Sequence, residues 1–259
     1  MLYNKIRYAE TIRKLYRLRN LLAHNRRPDI GARLGYQKYS KRYYIIKEKL
    51  KEEKILDRED RFIESPANRW IVELPTMIDD KKELRVLGFP STFKVYLALF
   101  FKNSMTFKEI VIKLGMSERT AYTAIRRLEN SFLIINKDSL IHIDKNSEIY
   151  DWLFKYVDAC ITQADTEDNI SILFDCVPAY IDGPQAYYIN NYEPGRPVGP
   201  SDMIIRTYEP YENFWEYVRD RVRYFAKFPK RIVILPAIKD TKIIWVNGIP
   251  YNKNATEVF

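Results

Sequence analysis

The stretch GMSERTAYTAIRRLENSFLI, residues 115–134, begins at a glycine and contains the clearest helical pattern of the chain. Ser117 is a suitable N-cap residue, because its hydroxyl can accept a hydrogen bond from a free backbone N–H group. Ala121, Ile125 and Leu128 recur at spacings of four and three, which places their side chains on one side of a helix. The stretch therefore predicts a helix with a buried inner side and a polar outer side.

Two shorter helical patterns precede this helix. The first is STFKVYLALFFKNS, residues 91–104, and the second is MTFKEIVIKLG, residues 105–115. In the second pattern, Thr106 and Glu109 have the spacing of a capping box, in which each side chain bonds the other residue's backbone N–H. Gly115 is placed to end this helix. The sequence therefore predicts three consecutive helices.

A β-hairpin is predicted directly after the third helix. Residues 133–136 and 140–144 are rich in apolar side chains and flank the turn 137–139. Three helices followed by a hairpin resemble the winged helix-turn-helix family of DNA-binding proteins, and the resemblance covers residues 90–145. It implies that residues 117–130 form the recognition helix and that the hairpin is the wing.

The outer side of the third helix carries basic, hydroxyl and aromatic side chains, which can bond phosphate oxygens and base edges from the major groove. Arg119, Thr123 and Arg126 are expected near base edges. Lys137, at the tip of the wing, is expected on a phosphate. The predicted DNA-binding residues of this module are Ser117, Arg119, Thr120, Tyr122, Thr123, Arg126, Arg127 and Lys137.

Positive charge is concentrated at the N-terminal end of the chain. Residues 1–60 carry 17 Lys and Arg against 8 Asp and Glu, so this segment accounts for the whole formal net charge of +9. A basic segment with interleaved tyrosines suits a polyanion, because Lys and Arg displace counterions from phosphates. A solvated helical face would have the same composition, so charge alone leaves both interpretations open.

A weaker copy of this arrangement of helices lies nearer the N-terminus of the chain. Residues 27–36 repeat the order of Ile, Leu and Gly found in residues 105–115. The strand-like runs around Phe62 and at residues 70–74 would form its wing. A dimerisation helix before Pro28 is the alternative explanation of the pattern. The predicted DNA-binding residues of this copy, with the basic ones on phosphates, are Lys38, Ser40, Lys41 and Arg42.

We therefore predict an α+β fold with tandem winged helix-turn-helix domains followed by an α+β C-terminal domain. The predicted divisions are an N-terminal domain at 1–74, a linker at 75–90, a winged-helix domain at 91–146 and a C-terminal interaction domain at 147–259. The linker assignment depends on its flanking prolines and its charge cluster. Within the C-terminal domain we expect helices at 147–163 and 212–228, a strand at 203–207 and a closing hairpin around 239–240.

Part of the C-terminal domain, residues 177–209, resembles AbiEi-type antitoxins. The positions that carry the resemblance are Gly183, Ala186 and the strand from Met203. The resemblance implies that the winged helix represses its own operon. It also implies that the C-terminal part counters a toxin related to nucleotidyltransferases.

No catalytic, metal-ligating or cofactor-binding residue is predicted. His24 and His142 fall in different predicted domains, with His142 expected on a wing strand. Cys160 and Cys176 lack metal-type spacing and are expected to be small core residues. The 8 glycines form no phosphate-binding loop. A metal-dependent nucleotidyl-transferring enzyme remains a third hypothesis, which predicts nucleotide turnover that Asp202→Ala abolishes.

These patterns predict a sequence-specific double-stranded DNA-binding protein, a transcriptional regulator that acts by operator occupancy and is not an enzyme. The expected partners are double-stranded DNA, a protein bound by the C-terminal domain and a second copy in a homodimer. No membrane partner is expected, since no apolar run of about 18 residues and no signal peptide is present, and we expect a cytoplasmic protein. The alternative is an antitoxin-like or docking protein whose winged helices and C-terminal domain bind a protein partner.

Overall fold

The computed structural model describes residues 2–13, 16, 41–78, 81–167, 169–182, 203–222, 232–238, 240–246 and 248–253. These residues form a mixed fold of helices and two β-sheets, which confirms the predicted α+β class. Among the described helices, none combines the length and the apolar character needed to cross a membrane. The positions named above that lie outside the described residues are His24, Pro28, Lys38, Ser40, Gly183, Ala186 and Asp202.

The N-terminal third of the described chain is helical. Its helices are α1 (Leu2–Arg7), α2 (Lys41–Glu52), α3 (Pro66–Met77), α4 (Lys81–Leu87) and α5 (Pro90–Lys102), and residues 9–13 are helical as well. Helix α1 packs on α3 and α4, and α4 packs on α5. The helices therefore share one core with the elements that follow.

Helix α3 contradicts the predicted wing of the N-terminal domain. The sequence pattern predicts a strand at residues 70–74, but these residues lie inside α3. Ser65 caps the helix, with its Oγ accepting a bond from Asn68 N at 3.1 Å, and Pro66 occupies the first helical position. Leu74 is fully buried in the helix. The strand prediction is wrong because this cap and the tertiary packing outweigh the β propensity of the short run.

The N-terminal segment has no described hairpin that could serve as a wing. In residues 41–78, β-pairing is limited to one bridge between Leu56 and Phe62. The predicted helix that carries Lys41 and Arg42 does form, as the first turn of α2. The first module of the predicted tandem is therefore an assembly of helices over its described residues.

The stretch predicted as a linker, residues 75–90, is largely helical. Helix α3 continues through Pro75, and α4 begins at Lys81. Leu84 and Leu87 are buried where α4 packs between α1 and α5. Proline and charge suggested a loop, but buried leucines three positions apart give α4 an inner side.

The middle of the chain forms a small module of helices and an antiparallel sheet. Its elements are β1 (Ser104–Thr106), α6 (Phe107–Lys113), α7 (Glu118–Glu129), β2 (Ile134–Lys137) and β3 (Leu140–Ile143). The sheet order is β1-β3-β2, so β3 lies in the centre and pairs with both neighbours. Helix α7 packs on α5 and α6. The three predicted helices and the predicted hairpin are confirmed, and His142 lies on β3 as expected.

Local signals fix the ends of these elements. Thr106 and Glu109 form the predicted capping box, with Glu109 N to Thr106 Oγ1 at 3.2 Å and Thr106 N to Glu109 Oε2 at 2.8 Å. Gly115 follows α6 with a φ of 57°, the left-handed conformation that glycine adopts at little cost. Asp138 and Ser139 have φ values of 53° and 62°, as a two-residue type I′ hairpin turn requires.

The C-terminal part builds a five-stranded mixed sheet and several helices. Its elements are α8 (Glu148–Thr166), α9 (Ser171–Cys176), β4 (Ala179–Asp182), β5 (Met203–Thr207), a 3₁₀ turn (Glu209–Tyr211), α10 (Glu212–Arg221), β6 (Ile232–Pro236), β7 (Ile243–Val246) and β8 (Ile249–Asn252). The sheet order is β6-β5-β4-β8-β7. The predicted helix at 147–163 and the predicted strand at 203–207 are confirmed, and Cys160 and Cys176 are buried as predicted.

The predicted closing hairpin between β6 and β7 is wrong. These strands lie at opposite edges of the sheet, where β6 pairs with β5 and β7 pairs with β8. The hairpin is instead β7–β8, and its turn contains Gly248, which has a φ of 81°. The left-handed position at Gly248 favours this tighter hairpin over a turn around residues 239–240.

Glu209 ties the C-terminal part to the module. Its Oε1 lies 3.0 Å from Lys102 Nζ at the end of α5 and 2.6 Å from Lys113 Nζ at the end of α6. The bonds from Lys113 and Lys102 lower the pKa of the Glu209 carboxyl. Because the pKa of this carboxyl is lower in the folded than in the unfolded chain, its ionised form stabilises the fold at pH above the unfolded-state pKa, near 4.5. This contribution is lost as pH falls through the folded-state pKa.

We expect Glu209→Gln to lower the free energy of unfolding at pH 7 by less than about 1 kcal/mol, because the pair is half exposed and screened by solvent. The difference from the unmodified chain should shrink as pH falls from 5 towards 4. Urea unfolding across that range measures it. Glu216→Gln, an exposed position on α10, is the control. A difference for Glu209→Gln that grows on acidification would contradict the prediction.

Candidate nucleic-acid interface

Helix α7 has a buried inner side and an exposed outer side. The buried residues are Ala121, Ala124, Ile125 and Leu128, as the sequence spacing predicts. The small alanine side chains let α5 and α6 pack closely against α7. Opposite them, at spacings of three and four, lies a set that we call the outer face of α7: Arg119, Tyr122, Thr123 and Arg126.

The two arginines of the outer face are free to bind a ligand. Neither Arg119 nor Arg126 lies within 4 Å of a carboxylate oxygen of the described chain. The Arg126 guanidinium carbon lies 6.0 Å from the ring centre of Tyr122, one turn earlier. This contact holds the exposed guanidinium over the helix surface. An arginine without a carboxylate partner retains its five N–H donors for base edges or phosphates.

The hydroxyl groups of the predicted set help to define the helix. Ser117 Oγ accepts a bond from Thr120 N at 3.2 Å and lies 2.8 Å from Thr120 Oγ1, so both residues belong to the N-cap. Thr123 Oγ1 donates to Arg119 O at 2.8 Å. All three side chains are exposed, and their oxygens can still accept bonds. Their first role is to fix where α7 begins and how it is oriented.

Arg127 lies away from the outer face. It is half-buried, and its guanidinium carbon lies 4.2 Å from the ring centre of Phe89, just before α5. This cation–π contact links the end of α7 to the start of α5. The structure therefore does not bring Arg127 together with Arg119 and Arg126, and its contact with Phe89 is a structural one.

The β2–β3 hairpin stands beside the outer face of α7. A groove with a cavity volume of about 410 Å³ separates them, and Tyr122 and Arg126 line it on the helix side. Asn136 and Ser139 line it on the hairpin side. Lys137, the last residue of β2, is exposed as predicted. The helix and the hairpin thus offer two adjacent sets of polar groups.

Acidic side chains limit the positive surface. Glu118 and Glu129 lie on one flank of α7, and Asp138 lies in the hairpin turn beside Lys137. A strongly anionic ligand therefore meets a narrow basic stripe between carboxylates. Such a pattern favours a defined orientation of the ligand over diffuse attraction.

The N-terminal copy contributes less to a shared site than the sequence predicts. Lys41 and Arg42 are the first residues of α2, and Lys38 and Ser40 lie outside the described residues. Farther along α2, two lysines bind one carboxylate: Lys47 Nζ lies 2.8 Å from Asp60 Oδ2, and Lys51 Nζ lies 2.7 Å from Asp60 Oδ1. Part of the basic excess in this segment is therefore compensated locally.

The sequence pattern did not indicate an exposed apolar pair that lies within the module. Phe132 and Ile135 belong to an apolar run that resembles core sequence, but Phe132 is 82% exposed. Its φ of 54° turns the chain between α7 and β2 and directs the side chain outward. A left-handed conformation at a phenylalanine has no clear local signal in the sequence.

Among the described residues, no group of three or more His, Cys, Asp or Glu side chains is placed to hold a metal ion. No protein family model matches the chain, and no curated protein or solved structure is significantly similar to it.

Proposed function

We propose that the chain is a sequence-specific double-stranded DNA-binding protein that regulates transcription by occupying an operator. In this proposal, residues 90–145 form a winged helix-turn-helix module, with α7 as the recognition helix and the β2–β3 hairpin as the wing. The order of three helices and a hairpin, with β1 completing the sheet, supports this assignment.

The observation that carries the proposal is the outer face of α7. It places two arginines, which have no carboxylate partner among the described residues, on a capped helix that packs on α5 and α6 beside a hairpin. In the proposed complex, Arg119 and Arg126 donate hydrogen bonds to base edges in the major groove. The Thr123 hydroxyl accepts or donates a hydrogen bond beside them. Lys137 bonds a phosphate from the wing. Direct bonds to base edges supply the sequence preference.

Fluorescence anisotropy of the full chain, on the DNA upstream of its own gene and on random duplex across a salt series, tests the proposal. We expect tighter binding to the upstream DNA and a steep loss of affinity with salt, because phosphate contacts release counterions. Lys137→Ala should weaken binding to both duplexes equally and lower the salt slope by about one.

Lys155→Ala is the control for Lys137→Ala, because Lys155 is a half-exposed lysine on α8, outside the module, and its Nζ lies 2.6 Å from Asp151 Oδ2. It should leave the affinity and the salt slope unchanged. If the unmodified chain binds neither duplex at low salt, the DNA-binding proposal is wrong.

Protein docking is the second candidate function, and the exposed pair Phe132 and Ile135 favours it. Phe132 is 82% and Ile135 53% exposed, and exposed apolar side chains that form a contiguous patch mark protein-binding surfaces. In an antitoxin-like role, this surface and the C-terminal domain would hold a protein partner. Co-purification with the product of a neighbouring gene, lost in Phe132→Ser and without DNA binding, would support this candidate over the first.

A further inference from the structure

A cleft separates helix α5 from the five-stranded sheet. Its cavity volume is about 470 Å³, within the range of roughly 300–1,000 Å³ that is typical of small-molecule sites. Phe93 and Leu97 of α5 line one wall, and Tyr180 of β4 and Trp245 of β7 line the other. The cleft lies outside the outer face of α7 and shares no lining residue with it.

Large apolar side chains converge on this cleft and remain partly open to water. Tyr208, Ile243 and Trp245 all line it, and Trp245 is 56% exposed. Aromatic faces of this kind stack on planar rings, and exposed ones gain free energy when a ligand covers them. The walls therefore suit a flat aromatic molecule.

One cation in the cleft, Lys94, has no carboxylate partner among the residues that the structure describes. Lys94 Nζ donates to Leu114 O at 2.7 Å and lies 5.0 Å from the ring centre of Tyr208. Within the described chain, no carboxylate oxygen lies within 4 Å of it. Burial lowers the pKa of the Lys94 ammonium, because the charged form loses contact with water. A ligand anion would compensate this charge.

The other charged groups of the cleft are already paired. Asp175 Oδ2 lies 3.7 Å from Lys5 Nζ on α1. Arg206 forms an ion pair with Asp182 and donates to the Pro236 carbonyl at 3.0 Å. An incoming anion therefore gains most free energy by pairing with Lys94.

We propose that this cleft binds a planar aromatic carboxylate, whose rings lie against Tyr208 and Trp245 and whose carboxylate bonds Lys94 Nζ. The apolar walls supply most of the buried area, and Lys94 selects an acid over a neutral analogue. This ligand site goes beyond DNA binding and does not depend on it.

The position of Lys94 also gives the site a regulatory consequence, which rests on the proposed DNA-binding function. Leu114 caps the end of α6, directly before Gly115 and the turn into α7. A ligand carboxylate that accepts a hydrogen bond from the Lys94 ammonium competes for this donor with the Leu114 carbonyl at the turn. Ligand binding should therefore change the orientation of α7 and the affinity for DNA.

Isothermal titration calorimetry of the full chain tests the site with two probes of the same shape, 2-naphthoate and naphthalene-2-carboxamide. We expect 2-naphthoate to bind about tenfold more tightly than the carboxamide, a difference of about 1.4 kcal/mol. Lys94→Met should remove this preference and leave carboxamide affinity unchanged. The Lys155→Met variant, which changes a half-exposed lysine on α8 outside the cleft, should bind both probes as the unmodified chain does.

Trp245→Ala provides a second variant, because an exposed side chain on an edge strand can be removed without unfolding the sheet. It should weaken both probes by a similar factor. Three results would each overturn the proposal: no binding of 2-naphthoate, equal binding of both probes to the unmodified chain, or full affinity in Trp245→Ala.

The regulatory consequence is tested by repeating the DNA anisotropy titration with saturating 2-naphthoate. A changed dissociation constant for DNA supports the coupling. An unchanged constant, with 2-naphthoate bound, overturns the coupling and leaves the ligand site in place. A chain that binds 2-naphthoate but no DNA without it contradicts the proposed function instead.

Discussion

Replacing Arg126 by alanine is expected to weaken binding to the preferred DNA site by about tenfold or more, while binding to random duplex stays nearly unchanged. A bidentate arginine–guanine pair discriminates against the wrong base by roughly 1–3 kcal/mol. Arg126 has the geometry for such a pair, since its guanidinium is exposed, lies over Tyr122 and has no carboxylate partner within the described chain.

Arg221→Ala is the matched control for this experiment. Arg221 is also an exposed arginine four residues after a tyrosine, with its guanidinium carbon 4.4 Å from the Tyr217 ring centre on α10. Its removal deletes the same charge and the same kind of stacking outside the module. Competition anisotropy with specific and random duplexes gives both affinities. Equal losses on the two duplexes for Arg126→Ala would show that Arg126 contacts phosphate and does not select bases.

The helices and the hairpin of the module were predictable from sequence because their signals are local, whereas β1, which pairs with the distant β3, was not predicted. Ser117 and the pair Thr106 and Glu109 mark two helix starts through bonds that span only three residues. The buried spacing of α7 identifies its inner side, and the outer face follows by exclusion. Each of these features depends on neighbours in the chain, so no knowledge of the tertiary fold was needed.

The errors lie where distant residues decide the structure. Residues 70–74 have strand-like composition, but α3 packs along α8 and buries its inner side there. In the C-terminal sheet, β5 and β6 pair in parallel through a crossover that contains α10. The helical pattern that predicts α10 does not indicate which strands lie side by side. The order of the strands therefore could not be predicted from sequence, although the strand from Met203 was predicted correctly.

The kinds of side chain at the candidate site were predictable from sequence, but which residues lie together there was less predictable. The spacing of α7 places Arg119 and Arg126 on the outer side, and neither has a carboxylate partner in the part of the chain that the structure describes. Arg127 differs because its guanidinium makes a cation–π contact with the ring of Phe89, which is distant in sequence. The Lys94 cleft had no sequence signal, since α5, β4 and β7 form it only in the folded chain. Tertiary contacts therefore decide which cations are available to a ligand.

Replacing Trp152 by alanine is expected to cost about 3–5 kcal/mol of unfolding free energy, the usual cost of removing a large aromatic side chain from a core. Trp152 is 1% exposed, and its ring stacks on that of Tyr156 with 5.2 Å between ring centres. Its Nε1 donates to the Trp70 carbonyl at 2.8 Å, which joins α8 to α3 across the predicted domain boundaries. The substitution therefore removes both packing and a long-range hydrogen bond.

Urea unfolding followed by circular dichroism measures this loss. Trp245→Ala removes an equally large but half-exposed ring and should change the free energy of unfolding by no more than about 0.5 kcal/mol. Trp152→Phe keeps an aromatic ring without the N–H donor, so it should fall between the two. If Trp152→Ala cost less than about 1 kcal/mol, the contact between α3 and α8 would not hold the helices together. A single cooperative transition in the unmodified chain, lost in Trp152→Ala, would show that this contact couples the N-terminal helices to the C-terminal part.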